Sequence, residues 1–217
     1  MLTKKGGARK TARRKRAGAG PKRHPEHTRA KLLETAFKEI YLGGFQGTGL
    51  DQILERAKVT KGALYHYFGS KEKLGYAIVD EVIAGIIREK WVAPLEQAAN
   101  PIGALVEIVK ATSFKRADIE GGCPLNNLSQ EMSTIDEGLR WRIWQVFRTW
   151  IDAISAALKK GQEQGQVRRE VDADDAASQI VAMYEGYLSL AKNQQTELFM
   201  MRGKRALREF LEGLRAR

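Results

Sequence analysis

A chain of 217 residues, 43% hydrophobic and 29% charged, is long enough for one large domain or two small ones and has an ordinary globular composition. No apolar run approaches the ~20 residues that cross a bilayer, and no apolar segment follows the N-terminal charges as a secretory signal would require. A single cysteine, Cys123, excludes an internal disulfide framework and suits a reducing cytoplasm, while the net charge of +11 points to a polyanionic partner.

That charge is concentrated at the front. Residues 1–25 hold ten Lys/Arg and no acid, residues 26–76 carry +2, and residues 77–217 carry −1. The segment 1–24 has no aliphatic periodicity, so it is expected to be a disordered basic arm in isolation. Its like charges favour nucleic acid over an anionic membrane, because it has no hydrophobic face to insert. A solvated tail is the alternative.

After the arm, Leu32, Leu33, Ala36, Phe37, Ile40 and Tyr41 recur at helical spacing until Gly43 and Gly44 stop the helix. A second helix is expected from about Leu50 to Ala57, and a third from about Lys61 to Tyr67. Lys58-Val59-Thr60 between them fits only a tight turn, with Thr60 as N-cap. Ser70 caps a fourth helix carrying Leu74, Ala77, Ile78, Val82 and Ile86 on one side, expected to run as a rod to about Trp91. Asn100-Pro101 starts a helix predicted to reach about Arg116. "EGGCPLNNLSQEM" interrupts, with a short helix from Pro124 to about Met132. Ile135 to Gln164 is the longest candidate. Asp172 caps another to about Lys192, and Thr196 opens the last, to about Leu214. Nothing alternates like a strand, so the fold class is all-α. It divides into a head of three helices over 25–73 and a helical body over 74–217.

Two short helices joined by a three-residue turn form a helix-turn-helix, a unit that offers its second helix to the DNA major groove. The stretch "KGALYHYFGSK" suits that task. Gly62 and Ala63 let the backbone approach base edges, and Lys61 reaches a guanine edge or a phosphate. Tyr65 and Tyr67 hold hydroxyls on stiff arms for phosphate oxygens. Lys71 sits in the first turn of a helix, where the macrodipole favours anions, and that penalty reverses if a phosphate docks there.

The run "FQGTGLDQILERAKVTKGALYHYFGSKEKL" resembles the DNA-binding domain of TetR-type transcriptional repressors, at Thr48, Gly62, Leu64, Tyr65, Tyr67, Phe68, Lys71 and Leu74. The likeness covers roughly residues 28–86. It implies base contacts from Lys61 to Ala63 and His66, and phosphate contacts from Thr48, Tyr65, Tyr67 and Lys71, with Leu64 and Phe68 as core. Gly49 departs from the pattern, standing where Ser or Thr often caps the second helix. The resemblance also implies a body that encloses a pocket for a small effector, with Trp91, Phe114, Asn127, Trp144, Phe147 and Tyr184 as candidate liners. It further implies a homodimer through the last two helices, with two recognition helices facing a near-palindromic operator.

Cys123 stands just before the helix begun by Pro124, where the positive dipole end would lower a thiol's pKa. An electrophile-sensing cysteine and a buried packing residue are both open on this evidence. The functional expectation is a dimeric, cytoplasmic, effector-responsive regulator of double-stranded operator DNA, most simply a repressor, needing no cofactor or metal. A non-specific architectural DNA binder is the alternative. An enzyme lacks support, because His24, His27 and His66 gather at the DNA-facing end without a nucleophile–base set or metal-ligand spacing.

Overall fold

Helix α1, Pro25–Gly43, turns Leu32, Leu33, Ala36 and Ile40 inward at the spacing of a single face. The computed structural model to which it belongs describes residues 25–112 and 115–216. The basic arm and Phe114 therefore lie outside the described residues. Helix α1 ends as Gly44 takes φ +77°, a conformation that glycine adopts without a Cβ clash.

Helices α2, Leu50–Ala57, and α3, Lys61–Tyr67, form as the sequence predicts. Gly49 caps α2 without a side-chain bond, so the departure from the usual capping residue has a structural consequence. Lys58 closes α2 in the left-handed region, and Thr60 Oγ1 accepts the Ala63 N–H at 3.3 Å to open α3. Leu64, fully buried, and Phe68 pin α3 to the head core. Ser70 Oγ then accepts the Lys73 N–H at 3.2 Å and starts α4.

The rod predicted from Lys71 is longer than expected. Helix α4 runs without interruption over 71–96, with π-helical turns at Ile78–Ile83 and Arg88–Val92. The second turn has a chemical cause. Pro94 brings no N–H and a ring that clashes with the carbonyl four residues back. Just before it the ladder widens, and the Ala93 N–H bonds to the Arg88 carbonyl five residues back. The helix passes through the proline instead of ending there.

The body continues with α5, Pro101–Ala111; α6, Arg116–Gly121; α7, Pro124–Met132; α8, Glu137–Glu163; α9, Ala173–Gln194; and α10, Leu198–Gly213. The helix expected over 101–116 is really two. Thr112 leaves the helical region with ψ 121°, and α6 starts afresh at Arg116. Helix α8 lies against α4, α5, α7 and α9, and α9 packs on α10. Trp91 of α4, Trp150 of α8 and Tyr184 of α9 meet at the centre, with ring centroids 4.9, 5.0 and 5.7 Å apart. Among the described residues no helix is long and apolar enough to cross a membrane.

Side chains far apart in sequence tie α4 to α1 and to α8. Arg29 of α1 grips Glu81 of α4 with two hydrogen bonds, at 2.8 and 2.5 Å. The Tyr76 hydroxyl lies 3.1 Å from a carboxylate oxygen of Asp136, the residue that caps α8 by accepting the Leu139 N–H. Arg142 stacks on Tyr76 and pairs with Asp80 at 2.9 Å.

Candidate nucleic-acid interface and ligand cavity

On the head, Lys61, Gly62, Tyr65 and His66 face solvent, while Ala63, Tyr67 and Lys71 are half-buried. Burial alternates because α3 is anchored through Leu64 and Phe68 on one face and leaves the opposite face open. His66 packs edge-on against Tyr67, centroids 4.9 Å apart, which steadies both rings. The Lys71 ammonium lies 4.9 Å from the centroid of Phe45, a cation–π contact beside the start of α4. Seven of the eight residues expected at DNA thus share one end of the head.

Thr48 is the exception. It is 1% exposed, and its hydroxyl lies 2.7 Å from the Gly44 carbonyl oxygen and 3.1 Å from that of Glu39. In this arrangement the side chain closes the turn between α1 and α2, so a direct phosphate contact from it is corrected to an internal structural bond.

The body contains a cavity of about 300 Å³. Its walls come from Ile86, Ile87, Lys90 and Trp91 of α4, Trp150 of α8, Tyr184 and Leu188 of α9, and Cys123 to Leu125 at the start of α7. Thr112, at the break after α5, and Asp118 of α6 add polar groups. The remaining wall is unexpected: Phe37 and Tyr41 belong to α1, in the head. Their rings stack 5.8 Å apart at 7°, and the Tyr41 hydroxyl donates to the Gly122 carbonyl at 2.8 Å. A broader groove of about 610 Å³ adjoins the other side of the same wall, lined by Asn126, Asn127, Glu131 and Lys192. The smaller space is the better candidate for a ligand, since it is lined largely by aromatic and aliphatic carbon with a few convergent polar groups.

Of the effector residues expected from the sequence, Trp91, Cys123 and Tyr184 line this cavity. Asn127 lines the groove instead, donating to the Gly121 carbonyl and accepting from Lys192. Phe147 packs half-buried on the core away from the cavity lining. Trp144 is corrected outright: it is 53% exposed, turned about 100° round the helix from the buried stripe of Ile143, Val146 and Trp150. Sequence reasoning missed Lys90, Phe37, Tyr41 and Glu185, whose roles depend on contacts between distant elements.

Burial controls the chemistry here. It pushes the Lys90 ammonium's pKa down, against the pull of Cys123, Glu185 and Asp118, and Lys90 donates to the Tyr184 hydroxyl. Burial lifts the Tyr41 hydroxyl to about 12 and raises that of Tyr184 as well. It also raises the Cys123 thiol well above its ordinary value, reinforced by the Glu185 carboxylate. The expectation that the α7 dipole would lower this thiol is therefore corrected: desolvation outweighs the dipole, and the thiolate fraction is suppressed. Glu185 is 7% exposed, neither of its oxygens has a well-formed hydrogen bond, and burial lifts its carboxyl to about 7 although Cys123 and Lys90 oppose the rise.

A helix-turn-helix head joined by one long helix to an all-helical body with an apolar cavity describes a class of DNA-binding regulators. Residues 32–78 match the family model described as bacterial regulatory proteins, tetR family, and residues 99–207 match that of the tetracyclin repressor-like C-terminal domain. The chain belongs to the TetR family of transcriptional regulators. It is 30% identical over 182 residues to the uncharacterized HTH-type transcriptional regulator YxaF of Bacillus subtilis (strain 168), covering 80% of this chain and 91% of that one. With the HTH-type transcriptional repressor DhaR of Mycobacterium sp. (strain GP1) it shares 26% identity over 165 residues, 73% of this chain and 79% of that one. A TetR transcriptional regulator from Chloroflexus aurantiacus J-10-FL superposes with a TM-score of 0.78 at 27% identity, over 89% of this chain and 98% of that one.

Proposed function

We propose that the protein is a homodimeric repressor that binds a near-palindromic operator through α3 and leaves it when a small molecule enters the 300 Å³ cavity. The observation that carries this reading is the shared wall: Phe37 and Tyr41 belong to the DNA-binding head and also line the cavity. A ligand that favours one placement of α1 shifts the head by the difference in its affinity for the two placements, and by no more. Helix α4 provides a second connection, from Lys71 at the head to Lys90 and Trp91 at the cavity.

Dimerisation is supported by the outer faces of α9 and α10. Ala182, Gly186 and Leu190 recur every four residues on the open side of α9, and Leu198 and Met201 are 41% and 49% exposed beside them. Small residues at that spacing let a second helix approach closely, as a two-fold four-helix bundle requires. Since its target is DNA, the site of action is the cytoplasm.

The roles on the head separate by experiment. On a duplex recovered from a random pool by repeated binding selection, Lys71→Ala and Tyr65→Phe should weaken binding to all sequences alike, each by roughly three- to tenfold. Lys61→Ala should cost about 1–3 kcal/mol on the selected site and relax preference at one base position, because phosphate contacts position and base contacts specify. Anisotropy titrations against the selected and a scrambled duplex read both quantities. A loss of base preference with Lys71→Ala but not with Lys61→Ala would reverse the assignment.

A further inference from the structure

Helix α7 spans the distance between the cavity and the DNA-binding head. Its first turn, from Pro124, is cavity wall. Its last turn carries Glu131, whose two carboxylate oxygens accept the backbone N–H groups of Phe45 and Gln46 at 2.8 and 2.7 Å. These residues lie 86 and 85 positions away, in the turn between α1 and α2. The fit is close: a Cβ on Gly44, which holds φ +77°, would come within 3.2 Å of both Glu131 oxygens. The turn it holds leads on to DNA. The Phe45 ring lies so near Gly75 of α4 that a Cβ there would fall 2.5 Å from it, and its face receives the Lys71 ammonium. At the other end of α7, the Gly122 carbonyl accepts the Tyr41 hydroxyl.

A carboxylate receiving two adjacent backbone N–H groups is a charge-assisted, two-point joint that resists both sliding and rotation. No other residue of α7 bonds to the head in this way among the described residues. Two methylenes and a carboxylate therefore fix the register between a helix that begins at the cavity and a turn that supports the cation at the start of α4.

We propose that Glu131 is the positioning residue that transmits occupancy of the cavity to the head, with α7 as the strut and the Phe45–Gln46 turn as the receiving element. A ligand that displaces the first turn of α7 moves Glu131 with it, and the turn carries Phe45 away from Lys71. This route is separate from α4, which touches the cavity through its own side chains. The proposal rests on the reading of the cavity as the effector site and of α3 as the DNA-reading helix.

The test needs no natural effector, because the cavity can be filled from within. Leu188→Trp enlarges a wall residue on α9, the helix whose Ser189 and Lys192 bond to Asn126 and Asn127 of α7, and Ile86→Phe enlarges a different wall residue, on α4. Each filler is placed in the wild-type, Glu131→Gln and Glu131→Ala backgrounds, and affinity for the selected duplex is read as the ratio of unfilled to filled protein. The wild type should lose tenfold or more on filling, Glu131→Ala less than twofold, and Glu131→Gln, which keeps one acceptor oxygen, an intermediate factor. An equal loss in all three backgrounds would overturn the role of Glu131 while leaving the cavity reading intact. No loss in the wild type with either filler would overturn the cavity reading and the proposal with it. Should a Glu131 variant fold poorly, amide exchange of Phe45 and Gln46 in the otherwise unaltered chain decides instead: faster exchange on filling is expected, and unchanged exchange contradicts the strut.

Discussion

Trp150→Ala is expected to destabilise the protein by about 3–5 kcal/mol, the range for truncating a buried tryptophan. Trp150 is fully buried, 4.9 Å from Trp91 and 5.7 Å from Tyr184 between ring centroids, so three helices lose a shared contact at once. The void would merge with the 300 Å³ cavity that the same ring already lines, leaving little chance for the surroundings to collapse onto it. Trp144→Ala, six positions earlier on the same helix, removes a side chain that is 53% exposed and should change stability by no more than about 0.5 kcal/mol. Urea titrations of both variants at one protomer concentration make the comparison, since a dimer's stability depends on concentration. Equal effects would show that the long helix is turned differently about its axis.

The second large effect depends on pH. Glu185 titrates at about 7 in the folded protein, well above an ordinary carboxyl, because burial penalises its charge. Between the unfolded and the folded pKa the native state holds a proton that the unfolded chain has lost, so stability must fall as pH rises through that window and level off above 7. The groups facing this carboxyl are the Cys123 thiol and Lys90, both of which lower its pKa, while Asp118 acts on Lys90 more weakly than Glu185 does. A net shift of that size, which already includes the opposing attraction of Lys90, corresponds to about 3 kcal/mol at most. Glu185→Gln should therefore be more stable than the wild type at pH 8, close to it at pH 4.5, and flatter between. Urea midpoints at the two pH values test this, and a Glu185→Gln variant that is less stable at pH 8 would mean that the attraction of Lys90 outweighs desolvation.

The sequence revealed the head more fully than the body, for physical reasons. Thr60 and Ser70 cap the helices that follow them through bonds three residues long, and Leu64 and Phe68 sit four apart on one face, so local chemistry alone defines α3. Helix periodicity likewise located α8 to within two residues at either end. What it could not supply was the neighbour on each face. Trp144 and Trp150 are the same residue type on one helix, and only packing from α4 and α9 tells core from surface. The path of α4 through Pro94 depended on a change of hydrogen-bond register that residue types do not announce. Glu131 and Tyr41 reach across more than 80 positions to their partners, so nothing near them in sequence marks them as joints. Thr48 matched a family motif, yet its hydroxyl is spent on the Gly44 and Glu39 carbonyls at the end of α1.

We propose that this chain reads DNA as a two-fold dimer through α3. Hydroxyl-radical footprinting of the full chain on its selected duplex tests that most directly. The account predicts two symmetric protected patches on one face of the helix, centred about 34–36 Å apart or a multiple of it, where two recognition helices enter successive major grooves. It also predicts that protection fades when Lys61→Ala replaces the wild type at equal concentration. Uniform protection that follows any sequence and persists in that variant would show an architectural binder held by phosphate charge alone, and would contradict the account.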